Sequence, residues 1–208
     1  MRWVTREFAA TGSDFILSPE QWISLETAAQ LPGGVPFDQV VSLVSRQTTP
    51  PTGARYVLDT GNARDGVLDL PILGDPTSER TSSKKTVREG DVIVSRLRPY
   101  LRQVALIPPG ISELLGQQEF YCSTEFLVFR RRDGRDAGGI VAWLLSGPIQ
   151  KMMSEAATGG HHPRIGPEML LSACIPEQFL DQDFSLSISR VLSRHVQSLR
   201  ELAVLLRH

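Results

Sequence analysis

The stretch from Val87 to Ile107, VREGDVIVSRLRPYLRQVALI, constrains the fold more than any other part of the chain. Glu89-Gly90-Asp91 reads as a turn. Val92-Ile93-Val94 follows, a run of β-branched residues of the kind found in a strand buried on both faces. Ser95 to Leu101 interrupts it with polar and basic residues. Gln103 to Ile107 resumes as a second strand, and Pro108-Pro109-Gly110 closes it. The order is strand, basic turn, strand and turn.

The same stretch carries an asymmetry of charge. The 208 residues have a formal net charge of −1, which argues against a generally basic, sequence-blind nucleic-acid coat. A local patch is enough for DNA binding, however. Residues 1–79 hold five Lys/Arg against ten Asp/Glu, whereas residues 80–103 hold seven against two. Composition alone leaves two readings of that basic run: a solvated face or a nucleic-acid contact.

The rest of the chain supplies mixed elements. Ser18-Pro19-Glu20 has the order of a helix start, and Pro32-Gly33-Gly34 stops what precedes it. Val35 to Val44 reads as a short helix or strand. Thr48 to Gly53 contains paired prolines and reads as a rigid turn. Arg55 to Leu58 is a strand candidate, and Asn62 to Pro76 alternates turn residues with short apolar pieces. Tyr121 to Arg131 reads as one strand. Gly139 to Ser154 reads as a helix interrupted at Gly147-Pro148. Gly159 to Arg164 is a loop, Gly166-Pro167-Glu168 opens a short helix ending near Leu171, and Ala173 to Pro176 is a short strand. From Phe184 to Arg207 there is no Gly or Pro. There, Ile188, Leu192, His195, Leu199, Leu202 and Leu206 recur at alternating steps of four and three, a heptad seam in a helix of roughly 36 Å. That seam suits either its own domain or a second helix. These pieces predict an α+β chain: a globular β-rich domain over residues 1–180 with flanking helices, and a C-terminal coiled-coil-like helix over 181–208.

Several chemistries find no residues to carry them. The chain has no Asn/Asp-Pro-Pro-aromatic loop for a flipped base, no G-x-G-x-x-G, no P-loop and no G-x-S-x-G elbow. Cys122 and Cys174 are too few for a zinc cluster. Adjacent His161 and His162 diverge on any regular backbone. Asp59, Asp65, Asp69, Asp75 and Glu79 are spaced like turn residues, although Lys84 and Lys85 follow them, which keeps a small metal nuclease as an alternative. No cofactor is expected. The start lacks the apolar run of a signal peptide, and the longest apolar stretch, Gly138 to Leu145, is too short to span a bilayer. A cytoplasmic location is the expectation.

The segment VREGDVIVSRLRPYLRQVALI resembles the central signature of the type I restriction-modification specificity-subunit family. The matching residues are Gly90, Asp91, Ile93, Ser95, Arg96, Arg98, Pro99, Tyr100, Leu101, Val104 and Ala105. Three further pieces follow in the family's order: Ser123-Thr124-Glu125-Phe126, then Ala157-Thr158-Gly159-Gly160 running to Pro163-Arg164-Ile165, then Ile175-Pro176 before the long helix. The resemblance spans about residues 35–208. It implies a non-catalytic subunit that chooses the DNA sequence for a modification or restriction complex, with double-stranded DNA and a methyltransferase or other catalytic subunit as partners. Family members carry two recognition domains and two helices. This chain has room for one of each, which implies a homodimer through the helix, pairing with another half, or service in a different complex.

The resemblance and the charge together select candidate DNA contacts. Arg96, Arg98 and Arg102 are expected to reach base edges, since a guanidinium binds guanine O6 and N7 in bidentate fashion. Lys84, Lys85 and Arg88 suit phosphate. Tyr100 either stacks or packs in the core. His161, His162 and Arg164 form a second polar loop on the expected recognition face, and Gln47, Thr48 and Thr49 are weaker candidates. Ile188, Leu192, Leu199, Leu202 and Leu206 are expected to bind the partner. The rival from another class is an interaction module of a defence complex that keeps the fold without reading DNA.

Overall fold

The computed structural model describes residues 34–50, 57–70, 82–116, 120–160 and 162–205. The helix start at Ser18, the stop at Pro32-Gly33, the proline turn from Pro51 to Gly53, Arg55, residues 71–76, His161 and Leu206 lie outside them. The first described elements are β1 (Gly34–Pro36), α1 (Phe37–Val40), β2 (Val41–Leu43), β3 (Gln47–Thr48), β4 (Val57–Leu58), β5 (Ala63–Arg64) and β6 (Val67–Leu68). The middle of the chain forms β7 (Lys84–Val87), β8 (Val92–Ser95), β9 (Val104–Leu106), α2 (Ile111–Leu115), β10 (Phe120–Cys122) and β11 (Phe126–Arg131). The last part forms α3 (Gly138–Leu144), α4 (Gly147–Glu155), α5 (Pro167–Leu171), β12 (Cys174–Pro176) and α6 (Gln182–Leu205). The α+β class is as expected from the sequence.

The strands of the signature lie at the centre. An antiparallel sheet runs β2-β11-β8-β9. Side chains alternate across it with the period of two that a strand imposes. Val92, Val94, Val104, Leu106, Leu127 and Phe129 enter one core, with Ile140, Trp143, Met153 and Leu170 from the helices. Ile93, Ala105, Phe126 and Val128 enter a second core, with Leu58, Val87, Phe120 and Cys122 from another sheet. That second sheet runs β3-β7-β10-β4, with β4 parallel to β10 and the other pairs antiparallel. The layers are therefore helices, central sheet and second sheet, and β8 is buried on both faces as its composition predicts. Phe37 packs on both Phe129 and Trp143, with ring centroids at 5.1 and 4.7 Å.

Several sequence expectations need correction. Tyr121 to Arg131 is not one strand. Ser123-Thr124-Glu125 turns the chain, with the Phe126 N–H donating to the Ser123 carbonyl at 3.0 Å, so that β10 lies in one sheet and β11 in the other. Val35 to Val44 is neither helix nor strand alone, because α1 separates β1 from β2. The expected interruption at Gly147-Pro148, by contrast, is present: α3 ends at Leu144 and α4 starts at Gly147. Cys122 and Cys174 are both free thiols on strands, and burial pushes the Cys122 thiol up to about 12.

The end of the central sheet beside Asp91 is locked by charge. Asp91 is fully buried. Arg130 Nε and Nη2 donate to its two oxygens at 2.7 Å each, and the Arg88 N–H donates at 2.9 Å. Both oxygens are thus satisfied, which is the condition for a buried carboxylate.

α6 packs on α3 by a face that keeps Ile188 and Leu192 of the expected seam and adds Ser185 and Ser189. Ser185, Ser189 and Val196 are buried, Ile188, Leu192 and Leu199 are half-buried, and His195 and Leu202 are exposed. The reason is a close backbone approach at Gly138 and Gly139. A Cβ on Gly138 would overlap the Ser185 carbonyl, and one on Gly139 the Phe179 carbonyl. The gap left by the glycines takes serines: the Gly139 N–H donates to Ser185 Oγ at 3.2 Å, and Ser189 Oγ donates to Asp136 Oδ1 at 2.7 Å. Gly139→Ala should therefore overpack this contact and destabilise the chain by about 1–3 kcal/mol, read as a lower urea midpoint at unchanged slope.

Candidate nucleic-acid interface

The basic turn leaves β8 at Ser95 and returns at Val104. Ser95 Oγ donates to the Leu97 carbonyl at 2.9 Å and accepts from the Leu97 N–H at 3.2 Å, which folds the first corner. Pro99–Leu101 forms one turn of 3-10 helix with Pro99 buried beneath it. Arg98 and Arg102 bracket that turn with positive φ of 49° and 53°. Asp65, at φ 49°, lies beside them, its N–H donating to the Arg102 carbonyl at 3.1 Å. Among the described residues these are the only non-glycine residues with positive φ. Left-handed backbone costs an L-residue roughly 1–2 kcal/mol, and such strain concentrates at functional sites.

Long-range backbone bonds fasten two other loops to the turn. The Arg96 N–H donates to the Glu125 carbonyl, the Ile165 N–H to the Arg96 carbonyl and the Arg98 N–H to the Pro163 carbonyl, each at 2.9 Å. Thr158 and Arg164 exchange both backbone bonds and close the Gly159-Gly160 loop. Three of the signature pieces, the basic turn, Ser123 to Phe126 and Thr158 to Ile165, are thereby brought to one end of the central sheet. The fourth piece, Ile175-Pro176, pairs with β1 and serves the fold.

The side chains at this end form pairs. Arg164 donates to both oxygens of Glu125, the shortest contact being 2.8 Å. Arg102 Nε donates to Asp65 Oδ1 at 2.6 Å. Arg98 Nη2 lies 3.1 Å from His162 Nδ1; arginine only donates, so the imidazole accepts there and carries its proton on Nε2. Arg96 is half-buried, and its Nε is buried with no hydrogen-bond partner. Tyr100 is exposed and does not pack in the core. The Arg164 guanidinium beside Glu125 holds that carboxyl below its ordinary value. Sequence reasoning missed Glu125 and Asp65 as partners, because each meets its arginine across more than thirty residues.

Two expected phosphate contacts are placed differently. Lys85 is only 8% exposed, and its Nζ donates to the Phe126 carbonyl at 2.7 Å. Burial lowers its pKa. Lys85 shares the inward face of β7 with Val87, and that alternation was the available signal. Arg88 is exposed, but at the opposite end of the sheet, beside Asp91. Lys84 is half-buried at the same end as the basic turn, with Nζ 2.8 Å from Ser82 Oγ. Gln47 and Thr48 form β3 beside it.

Among the described residues no three of His, Cys, Asp and Glu converge to hold a metal. Asp75 and Glu79 of the nuclease alternative lie outside them. No helix among the described residues is long and apolar enough to cross a membrane.

The Glu125–Arg164 pair has a pH signature. Because the folded-state pKa of Glu125 is depressed, its contribution to stability is present above the ordinary value of 4.5 and is lost as pH falls through the lowered folded value. Glu125→Gln should lower the melting temperature modestly at pH 7, where the pair is intact, and converge on the parent as pH falls below about 4.5, so that its acid limb is flatter. An acid limb identical in both proteins would contradict the pairing.

No protein-family model matches the sequence, and no curated protein sequence does. Solved structures do match. A chain from a structure describing complex assembly and conformational transition of the type I R-M system has TM-score 0.53, and the HsdS subunit from Thermoanaerobacter tengcongensis has TM-score 0.50. Each is 22% identical over 83% of this chain and 45% of the solved one. The chain therefore has the fold found in these type I R-M chains, and it spans less than half their length.

Proposed function

We propose that the chain is the DNA target-recognition module of a type I restriction-modification complex, non-catalytic by itself. The observation that carries this reading is the convergence of the basic turn with two other signature loops, strained and cation-rich, at one end of a doubly buried sheet. Phosphate contacts give position and affinity, whereas base-edge contacts give specificity. Arg96 and Arg98 are the base-reading candidates, because among the described residues neither is ion-paired with a carboxylate, whereas Arg102 and Arg164 are. Arg102 and Arg164 enter preoriented by carboxylates and serve as secondary contacts. Lys84 is the phosphate candidate on this reading, while Lys85 supports the start of β11 from inside through the Phe126 carbonyl.

Catalysis belongs to a partner, a methyltransferase or other defence subunit, in the cytoplasm. We assign residues 1–180 to recognition and 181–208 to assembly. The chain matches less than half of the solved chains, and on this reading the recognition fold described here reads one half of a bipartite site while a second recognition unit reads the other. Leu199, Leu202 and Leu205 near the end of α6 are half-buried or exposed and suit contact with that unit, and a two-fold pair would read a palindromic site.

Selection from a random duplex library with the full chain tests the reading. Arg96→Ala and Arg98→Ala should each cost roughly 1–3 kcal/mol at the selected site and relax one position. Lys84→Ala should weaken all sequences alike and flatten the salt slope, whereas Arg88→Ala should change neither. Absence of salt-dependent binding to any duplex would make the chain a non-reading interaction module, and metal-dependent cleavage would make it a nuclease. Separately, Leu199→Asp with Leu202→Asp should abolish association measured by size-exclusion or partner pull-down; unchanged association would place the contact elsewhere.

A further inference from the structure

The tip of the basic turn is apolar. Tyr100 is 57% exposed and Leu101 44%. The other large hydrophobics exposed among the described residues, Val191, Leu202, Val204 and Leu205, all lie on α6. Consecutive residues of a 3-10 turn point about 120° apart, so Tyr100 and Leu101 do not cover one another. The surrounding structure holds them out. Pro99 is buried below them, and Arg98 and Arg102 carry left-handed backbone on either side. The flanks are fastened by the Arg98 N–H to the Pro163 carbonyl at 2.9 Å and by the Asp65 N–H to the Arg102 carbonyl at 3.1 Å. A turn that needed only to present guanidinium groups would not require two large apolar side chains at its apex.

Resting on the proposed DNA-reading role, we infer that this tip inserts into the duplex as a wedge: Leu101 enters between two base pairs and Tyr100 lies on the base face it uncovers. Apolar side chains of this size partly unstack a base step and kink DNA, and an aromatic ring stacks on any base. The bracketing Arg98 and Arg102 give the charge complementarity, one guanidinium on each side of the wedge against the phosphates or base edges of the opened step. Arg102 is preoriented for this by Asp65 at 2.6 Å. Pyrimidine–purine steps open most easily, so the turn selects such a step by deformability as well as by hydrogen bonding.

The test places 2-aminopurine at each position in turn of the duplex selected from the random library and follows its fluorescence on titration with the full chain. A rise confined to one step is expected, lost in Leu101→Ala and in Tyr100→Ala and kept in Tyr100→Phe. Both side chains are exposed, so the melting temperatures of all three variants should match the parent. The salt slope should also stay unchanged, because no phosphate contact is removed. Binding without a rise at any position would overturn the wedge and leave DNA reading intact. A rise that persists in both alanine variants would also overturn it. Failure to bind any duplex would overturn the reading and the wedge together.

Discussion

The constraint on which the structure depends is burial of the central sheet on both faces. Val92, Ile93 and Val94 are each fully buried, as are Val104 and Ala105 beside them. An unpaired charge in such a position would carry a desolvation cost of several kcal/mol. Polar chemistry is consequently excluded from the middle of these strands and driven to their ends. The two ends then differ in what they do with charge. Asp91 and Arg130 cancel each other at one end, under cover and with every carboxylate oxygen bonded. The other end gathers Lys84, Lys85, Arg96, Arg98, Arg102 and Arg164 around the two carboxylates of Glu125 and Asp65, leaving an excess of cations.

This division explains why signature residues of similar polarity have unlike roles. Gly90 and Asp91 belong to the locked end and shape the fold. Ser95 ties the first corner of the basic turn with two bonds to Leu97. The residues left for a ligand stand on a frame that is already fixed by backbone bonds to two other loops. A site prepared this way loses little freedom on binding, which is what preorganisation contributes to affinity and selectivity.

Much of this was legible in the sequence, because period and composition report burial directly. The two strands of the signature, the basic turn between them and the long C-terminal helix all follow from local pattern. What was not legible depends on contacts far apart in the chain. Ser123-Thr124-Glu125 lies between two apolar runs and looks like part of one strand, yet it carries the chain from one sheet to the other. The heptad pattern of α6 picks out Ile188 and Leu192, which do pack inward, and His195, which is exposed; the glycines at 138 and 139 admit a close approach that adds Ser185 and Ser189, which the pattern misses. Charge counting placed Arg88 with the other cations. The strand β7 between Lys84 and Arg88, at about 3.3 Å per residue, sets them at opposite ends of the sheet.

The central claim is that one end of the sheet meets DNA and the other does not. Amide hydrogen exchange of the full chain, alone and with saturating duplex, tests it most directly. The account predicts added protection in residues 96–102, 123–125 and 158–165, with none in 88–91 or 108–110. Protection centred on the Asp91 end, or spread evenly over both ends, would contradict it.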